Sequence, residues 1–240
     1  MDEVRAALHS EPRFGPHGRV ELEFDDGTLT IEGEVANIAV KKRLLERAAA
    51  HPAVVGIIDR LHVKPAQRMG DKQVRDLVSR ALLEEAALAE ITLRAQVKNE
   101  TRTLREPLES RGEITVETED GVVTLLGDAP SLAHKRLAGV LAWWVPGSVD
   151  VVNGLGVLAP ERELDAEITD VVRMVLEKDP FVNASQIRVL TQNAVVILHG
   201  LVPTESEREM AEFDAWYVFG VDNVENKIRV APVEATGRYG

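Results

Sequence analysis

Cysteine is absent from the 240 residues, which excludes disulfides and every zinc site built on thiolates. Aromatic residues are scarce, 4% against 45% for hydrophobic residues as a whole, so any core is mostly aliphatic. Basic charge is in deficit: 28 Lys and Arg face 40 Asp and Glu, a net charge of −12. Binding to a phosphate backbone needs a dense Lys/Arg surface, so this balance argues against nucleic acid as a partner. It weighs less against an anionic lipid surface, where a local basic patch suffices. No apolar run approaches the roughly 20 residues of a membrane-spanning helix. The opening MDEVRAALHS has neither the basic segment nor the apolar stretch of a secretory signal. The expectation is a soluble, cytoplasmic protein.

Catalytic patterns are missing as well. The glycines form no G-x-G-x-x-G and no GK[ST] loop, and no G-x-S-x-G occurs. The histidines His9, His17, His51, His62, His134 and His199 share no repeated position, and none pairs with another at i, i+4 around a glutamate. The sequence therefore nominates no catalytic residue, no metal site and no cofactor, and the expectation is a protein that is not an enzyme.

What is present is a repeat. From Glu113 to Val157 two alternating runs flank Asp120-Gly121, a glycine closes the second run, a capped helix follows, and a third strand ends the unit. The same pattern lies 94 residues earlier and 73 residues later. In the first copy Val20, Leu22 and Phe24 alternate with charged residues, the signature of a half-buried strand. Asp26-Gly27 is a hairpin signal because glycine takes positive φ freely, and Leu29 and Ile31 carry the return strand to Gly33. Asn37 caps a helix from Ile38 to Ala50, and Val55, Ile57, Leu61 and Val63 make the third strand. In the third copy Ile187, Val189, Val196 and Leu198 form the hairpin, Thr204 with Glu207 forms a capping box, and Val224, Ile228 and Val230 end the unit. Glycines 33, 127 and 200 coincide; so do the caps Asn37, Ser131 and Thr204, and the polar positions Asp59, Asn153 and Asn226.

The opening helices follow the same rule. Val74, Leu77, Val78, Ala81 and Leu82 line one helical face, and Ile168, Val171, Val172, Val175 and Leu176 repeat it. In the first copy only Val4, Ala7 and Leu8 keep that spacing before prolines and glycines break the chain. The expected fold class is α+β: three tandem αββαβ units, each with two helices on one face of a small mixed sheet. Their spans are 1–65, 71–158 with an insertion at 84–110, and 162–232, followed by a flexible tail at 233–240. Units of this size are marginal alone, so they are expected to pack on one another.

This order of elements, with its VVTLLG return strand and closing PGSVDVVNGLGV, resembles the bacterial BON domain, in three tandem copies over nearly the whole chain. The resemblance implies the αββαβ fold and a non-catalytic role attaching proteins to phospholipid or envelope structures, with a link to osmotic stress. One cytoplasmic relative senses potassium.

Three features stand as candidate sites. Trp143-Trp144 and Trp216-Tyr217 occupy the same place near the end of the second helix in two copies. Helical spacing puts Trp144 and Tyr217 inward and Trp143 and Trp216 at the edge, where they suit a membrane interface, a partner or a neighbouring repeat. The insertion carries Arg94, Lys98, Arg102 and Arg105 against one nearby acid, Glu100. Ile91, Leu93, Ala95 and Val97 alternate in it, which suggests an added strand. Its bland reading is a solvated loop or edge strand; its functional one is a contact for lipid headgroups or an acidic surface, a second copy of this chain included. The acidic turns Asp25-Asp26 and Glu119-Asp120 offer oxygens to a cation, although turn chemistry alone explains them. The leading expectation is thus a binding or scaffold protein that engages a membrane phospholipid or a protein partner and is capable of self-association. The alternative is a cytoplasmic sensor of a small cation such as potassium.

Overall fold

Alternation of apolar and charged residues builds the first strand pair. The structure, a computed structural model, describes residues 20–98, 100–158 and 165–231. The helix expected over Val4 to Leu8 and the expected tail at 233–240 lie outside these residues. Two compact units divide the chain, Met1–Glu161 and Arg162–Gly240.

In the first unit, β1 (Val20–Asp25) runs antiparallel to β2 (Thr28–Val35), and β3 (Gly56–Val63) lies parallel to β2. Asp26 and Gly27 join β1 to β2 with φ of 40° and 82°, the type I′ turn whose twist matches a hairpin. A parallel neighbour needs a crossover, which α1 (Ile38–Ala49) supplies. The Asn37 side chain accepts the Val40 N–H at 3.0 Å and satisfies one of the orphan donors at its start. Leu29 and Ile31 from β2, Leu61 from β3, and Leu44 and Ala48 from α1 meet in one buried cluster. Val55, assigned to the third strand from sequence, lies ahead of β3 and is exposed.

The second repeat completes this unit. Its elements are α2 (Asp71–Glu84), β4 (Thr92–Val97), β5 (Glu100–Arg105), β6 (Glu113–Glu119), β7 (Val122–Ala129), α3 (Leu132–Trp143), β8 (Asp150–Asn153) and β9 (Gly156–Val157). The strand order is β5-β4-β6-β7-β8, with β9 also on β7. The insertion is therefore ordered as a hairpin that widens the sheet. Ile91, Leu93 and Ala95 are buried as the alternation predicts, whereas Val97 is half-buried and Thr92, out of phase, is buried as well; the return strand β5 carries no such alternation. A Cβ on Gly127, at φ 116°, would run into the Glu113 carbonyl, so β6 and β7 close only around glycine there. The closing strand is interrupted where the Gly154 N–H turns to the Leu125 carbonyl.

Repeats one and two are joined within this unit. The Val63 N–H donates to the Val149 carbonyl at 2.7 Å and the Gln67 N–H to the Pro146 carbonyl at 2.9 Å.

The second unit holds α4 (Asp165–Lys178), β10 (Ile187–Gln192), β11 (Val195–Val202), α5 (Glu205–Tyr217) and β12 (Asn223–Val230), with strand order β10-β11-β12. Its hairpin turn places Asn193 and Ala194 at φ 50° and 59°. Alanine is strained in that region, and the Asp165 carboxylate offsets the strain by accepting both N–H groups, at 2.8 and 2.9 Å. The Thr204 hydroxyl caps α5 through the Glu207 N–H. The expected capping box is only half made, because the Glu207 carboxylate accepts the Asn183 N–H instead. All described parts are α+β with mixed sheets, as the repeat pattern implied.

Candidate functional site

The four cations of the insertion have different fates. Arg94 projects from β4 to the Glu113 carboxylate at 2.8 Å. Arg105 turns back at the end of β5 and donates to the Ile91, Leu83 and Leu88 carbonyls at 3.2, 3.1 and 2.5 Å. It thereby caps carbonyls at the end of α2 and in the turn that follows, and burial lowers its guanidinium pKa from the ordinary value. Arg94 and Arg105 are half-buried, and each finds a partner that only the folded hairpin brings near. Lys98, at φ 57° in the β4–β5 connection, and Arg102, in the middle of β5, are exposed. The hairpin thus presents two cations.

The aromatic pairs also divide. Trp143 and Trp144 at the end of α3 are both half-buried. Trp216 is fully buried, at 0% exposure, and Tyr217 is half-buried. The expected edge position of Trp216 is therefore wrong. Burial on α5 reaches past the sheet-facing stripe of Glu207, Ala211 and Ala215 to take in Asp214 and Trp216, so Trp216 is a core residue and not a lipid or partner contact. Tyr217 has its pKa raised from 10.0 to about 12, first by burial of the phenol and then by the nearby Asp214 charge.

The repeated polar position proves structural, with one informative exception. The Asn153 amide donates to the Lys135 carbonyl of α3 at 2.7 Å, and the Asn226 amide to the Arg208 carbonyl of α5 at 2.9 Å. Each ties the closing strand to the helix above it. In the first repeat the residue is Asp59, which has no amide to donate. There the Lys41 side chain folds inward instead, to 3.0 Å from the Asp59 carboxylate, and donates to the Leu61 carbonyl at 2.7 Å and to Asp150 at 2.6 Å. Lys41 is 5% exposed. A buried ammonium is tolerated only when its donors are satisfied and its charge is paired, and here one of the two carboxylates comes from the second repeat. Sequence reasoning missed this joint. Its signals were a lysine in the apolar stripe of α1, between Ile38 and Leu44, and the single Asp in an otherwise Asn series.

The acidic turns behave as turns. The Gly121 N–H donates to Asp71 at 2.8 Å, as its counterparts do to Asp165. No group of three or more His, Asp or Glu side chains placed to hold a metal ion occurs among the described residues. Also among the described residues, no helix is long and apolar enough to cross a membrane.

Comparison with known proteins adds to this geometry. The family model described as BON domain matches residues 2–65, 92–159 and 164–232. The chain is 28% identical over 152 residues to the "21 kDa hemolysin" of Actinobacillus pleuropneumoniae, covering 61% of this chain and 71% of that protein. It is 32% identical over 123 residues to "Osmotically-inducible protein Y" of Escherichia coli (strain K12), covering 49% of this chain and 61% of that one, less than two thirds of its length. Among solved structures, the C-terminal domain of CdsD, a structural protein of the type III secretion system of Chlamydia trachomatis, matches over 97% of both chains at 15% identity with a TM-score of 0.27. A superposition that loose bears on neither fold nor function.

Proposed function

Because this chain belongs to the BON domain family over most of its length, we propose that it is a non-catalytic, stress-related binding and scaffold protein that engages a phospholipid surface through the β4–β5 hairpin. The observation that carries this reading is the hairpin itself. It interrupts the repeat pattern, and of its four cations Lys98 and Arg102 stay exposed while Arg94 and Arg105 are drawn into the structure. The half-buried Trp143 supplies an amphipathic aromatic on the same unit. The stress link is supported by the name of the osmotically inducible relative.

An acidic chain meets an anionic surface only where its basic groups lead, so the interaction is local and salt-sensitive. Each cation near such a surface contributes about 1 kcal/mol, so K98A/R102A should weaken binding by about 2 kcal/mol, roughly 30-fold. Co-sedimentation with phosphatidylglycerol-containing vesicles measures this directly. Equal binding by the wild type and K98A/R102A would remove the hairpin as the site.

A further inference from the structure

We infer that the free edge of β5 is a self-association surface, at which two copies of this chain pair their β5 strands antiparallel about a two-fold axis through Thr101. The inference rests on the backbone edge of the sheet and on the Glu100 and Arg102 side chains; it shares Arg102 with the lipid reading, and T101P, which keeps Lys98 and Arg102, separates the two.

β5 is the terminal strand of its sheet, and Glu100, Thr101, Arg102 and Thr103 are all exposed, on both faces. No described residue therefore covers either side of these four, while Leu104 and Arg105 at the strand's end are half-buried. A terminal strand of this kind offers unpaired N–H and C=O groups to another chain. Which groups point outward follows from the hairpin. Val97 is paired directly with Glu100, so the connection is two residues long. In a hairpin of that length the flanking pair exchanges hydrogen bonds and the next pair does not. Glu100 and Arg102 thus direct their backbone groups to β4, while Thr101 and Thr103 direct theirs to the open edge. The Thr101 hydroxyl lies 2.8 Å from the Gln96 side chain across the ladder, as a non-hydrogen-bonded pair allows.

Edge-to-edge pairing must therefore place outward-directed residues opposite one another, which leaves few registers. Centring on Arg102 sets two arginines face to face. Centring on Thr103 puts Arg102 opposite Leu104 and leaves its charge unmatched. Centring on Thr101 lets the two Thr101 residues exchange N–H and C=O and places Glu100 of each copy opposite Arg102 of the other. Opposite charges directly across a strand pair favour it, and the symmetry supplies the contact twice. Edge charges usually repel a neighbouring strand; here their alternation, Glu then Arg on one face, is self-complementary.

The test is the molar mass of the full chain by light scattering after gel filtration, over a wide concentration range and without lipid. The expected result is a mass rising toward twice 26.4 kDa. T101P removes an outward N–H that β4 does not use, so it should leave the melting temperature nearly unchanged and the protein monomeric. E100R and R102E should each weaken the dimer, and E100R/R102E should restore it, because the reversed pair is again complementary. A wild type that stays monomeric throughout overturns the inference. So does a dimer that T101P leaves intact, or a folded E100R/R102E that remains monomeric.

Discussion

Replacing Lys41 with methionine should loosen the first unit at the joint between its two repeats. Methionine keeps an unbranched apolar stem in the same space and removes only the ammonium. That leaves the Asp59 and Asp150 carboxylates and the Leu61 carbonyl without their shared donor, which stands at 3.0, 2.6 and 2.7 Å from them. Removing one partner from a fully buried pair costs about 3–5 kcal/mol. The carboxylates here retain 31% and 19% side-chain exposure, so water recovers part of their solvation. A loss of about 2–3 kcal/mol is expected, below the cost for a fully buried pair. At about 2–4 °C per kcal/mol for a domain of this size, the first unit should melt roughly 5–10 °C lower. Adding D59N to K41M supplies the amide that the other repeats use to reach the helix carbonyl, and should recover part of the loss. Urea titration and calorimetry of K41M, D150N and K41M/D150N give the coupling, expected above about 1 kcal/mol for groups in direct contact. A K41M loss within about 0.5 kcal/mol, the range of ordinary surface changes, would show that the joint contributes nothing and refute the reasoning.

The burial difference between equivalent tryptophans gives a second prediction. W216A should destabilise the second unit by about 3–5 kcal/mol through lost packing, whereas W143A at a half-buried site should cost less than half of that; equal losses in urea titrations would contradict the assignment of Trp216 to the interior. Tyr217 gives a pH dependence. Its folded pKa of about 12 lies above the ordinary 10.0, so between these values the unfolded chain gives up the phenolic proton first. Stability is therefore full below the unfolded pKa and falls as pH rises toward the folded one. The advantage of the wild type over Y217F should shrink across that interval, and a difference independent of pH would exclude the buried phenol as its source.

Local signals were legible in the sequence because they depend on a few adjacent residues. Asn37, Ser131 and Thr204 cap their helices through their own next turn, and Asp26-Gly27 and Asp120-Gly121 take the turn their side chains favour. The alternation of Ile91, Leu93 and Ala95 revealed β4 even inside an insertion. What failed needed tertiary knowledge. A helical wheel places Trp216 on a flank, but a flank is exposed only if nothing lies against it. Arg94 and Arg105 look like a basic patch until folding brings Glu113 and three carbonyls to them. Lys41 was visible as a charge in an apolar stripe, yet its second carboxylate, Asp150, lies 109 residues away. Lys98 and Arg102, on which the proposed contact rests, are the two insertion cations that the fold leaves exposed.

The central claim, attachment through the hairpin, is tested most directly by vesicle co-sedimentation of the wild type and K98A/R102A on anionic and zwitterionic lipid at low and high salt. Saturable binding is expected to anionic vesicles only, weakened by salt and roughly 30-fold weaker in the variant. Binding that is absent, or that neither charge removal nor salt alters, would contradict it.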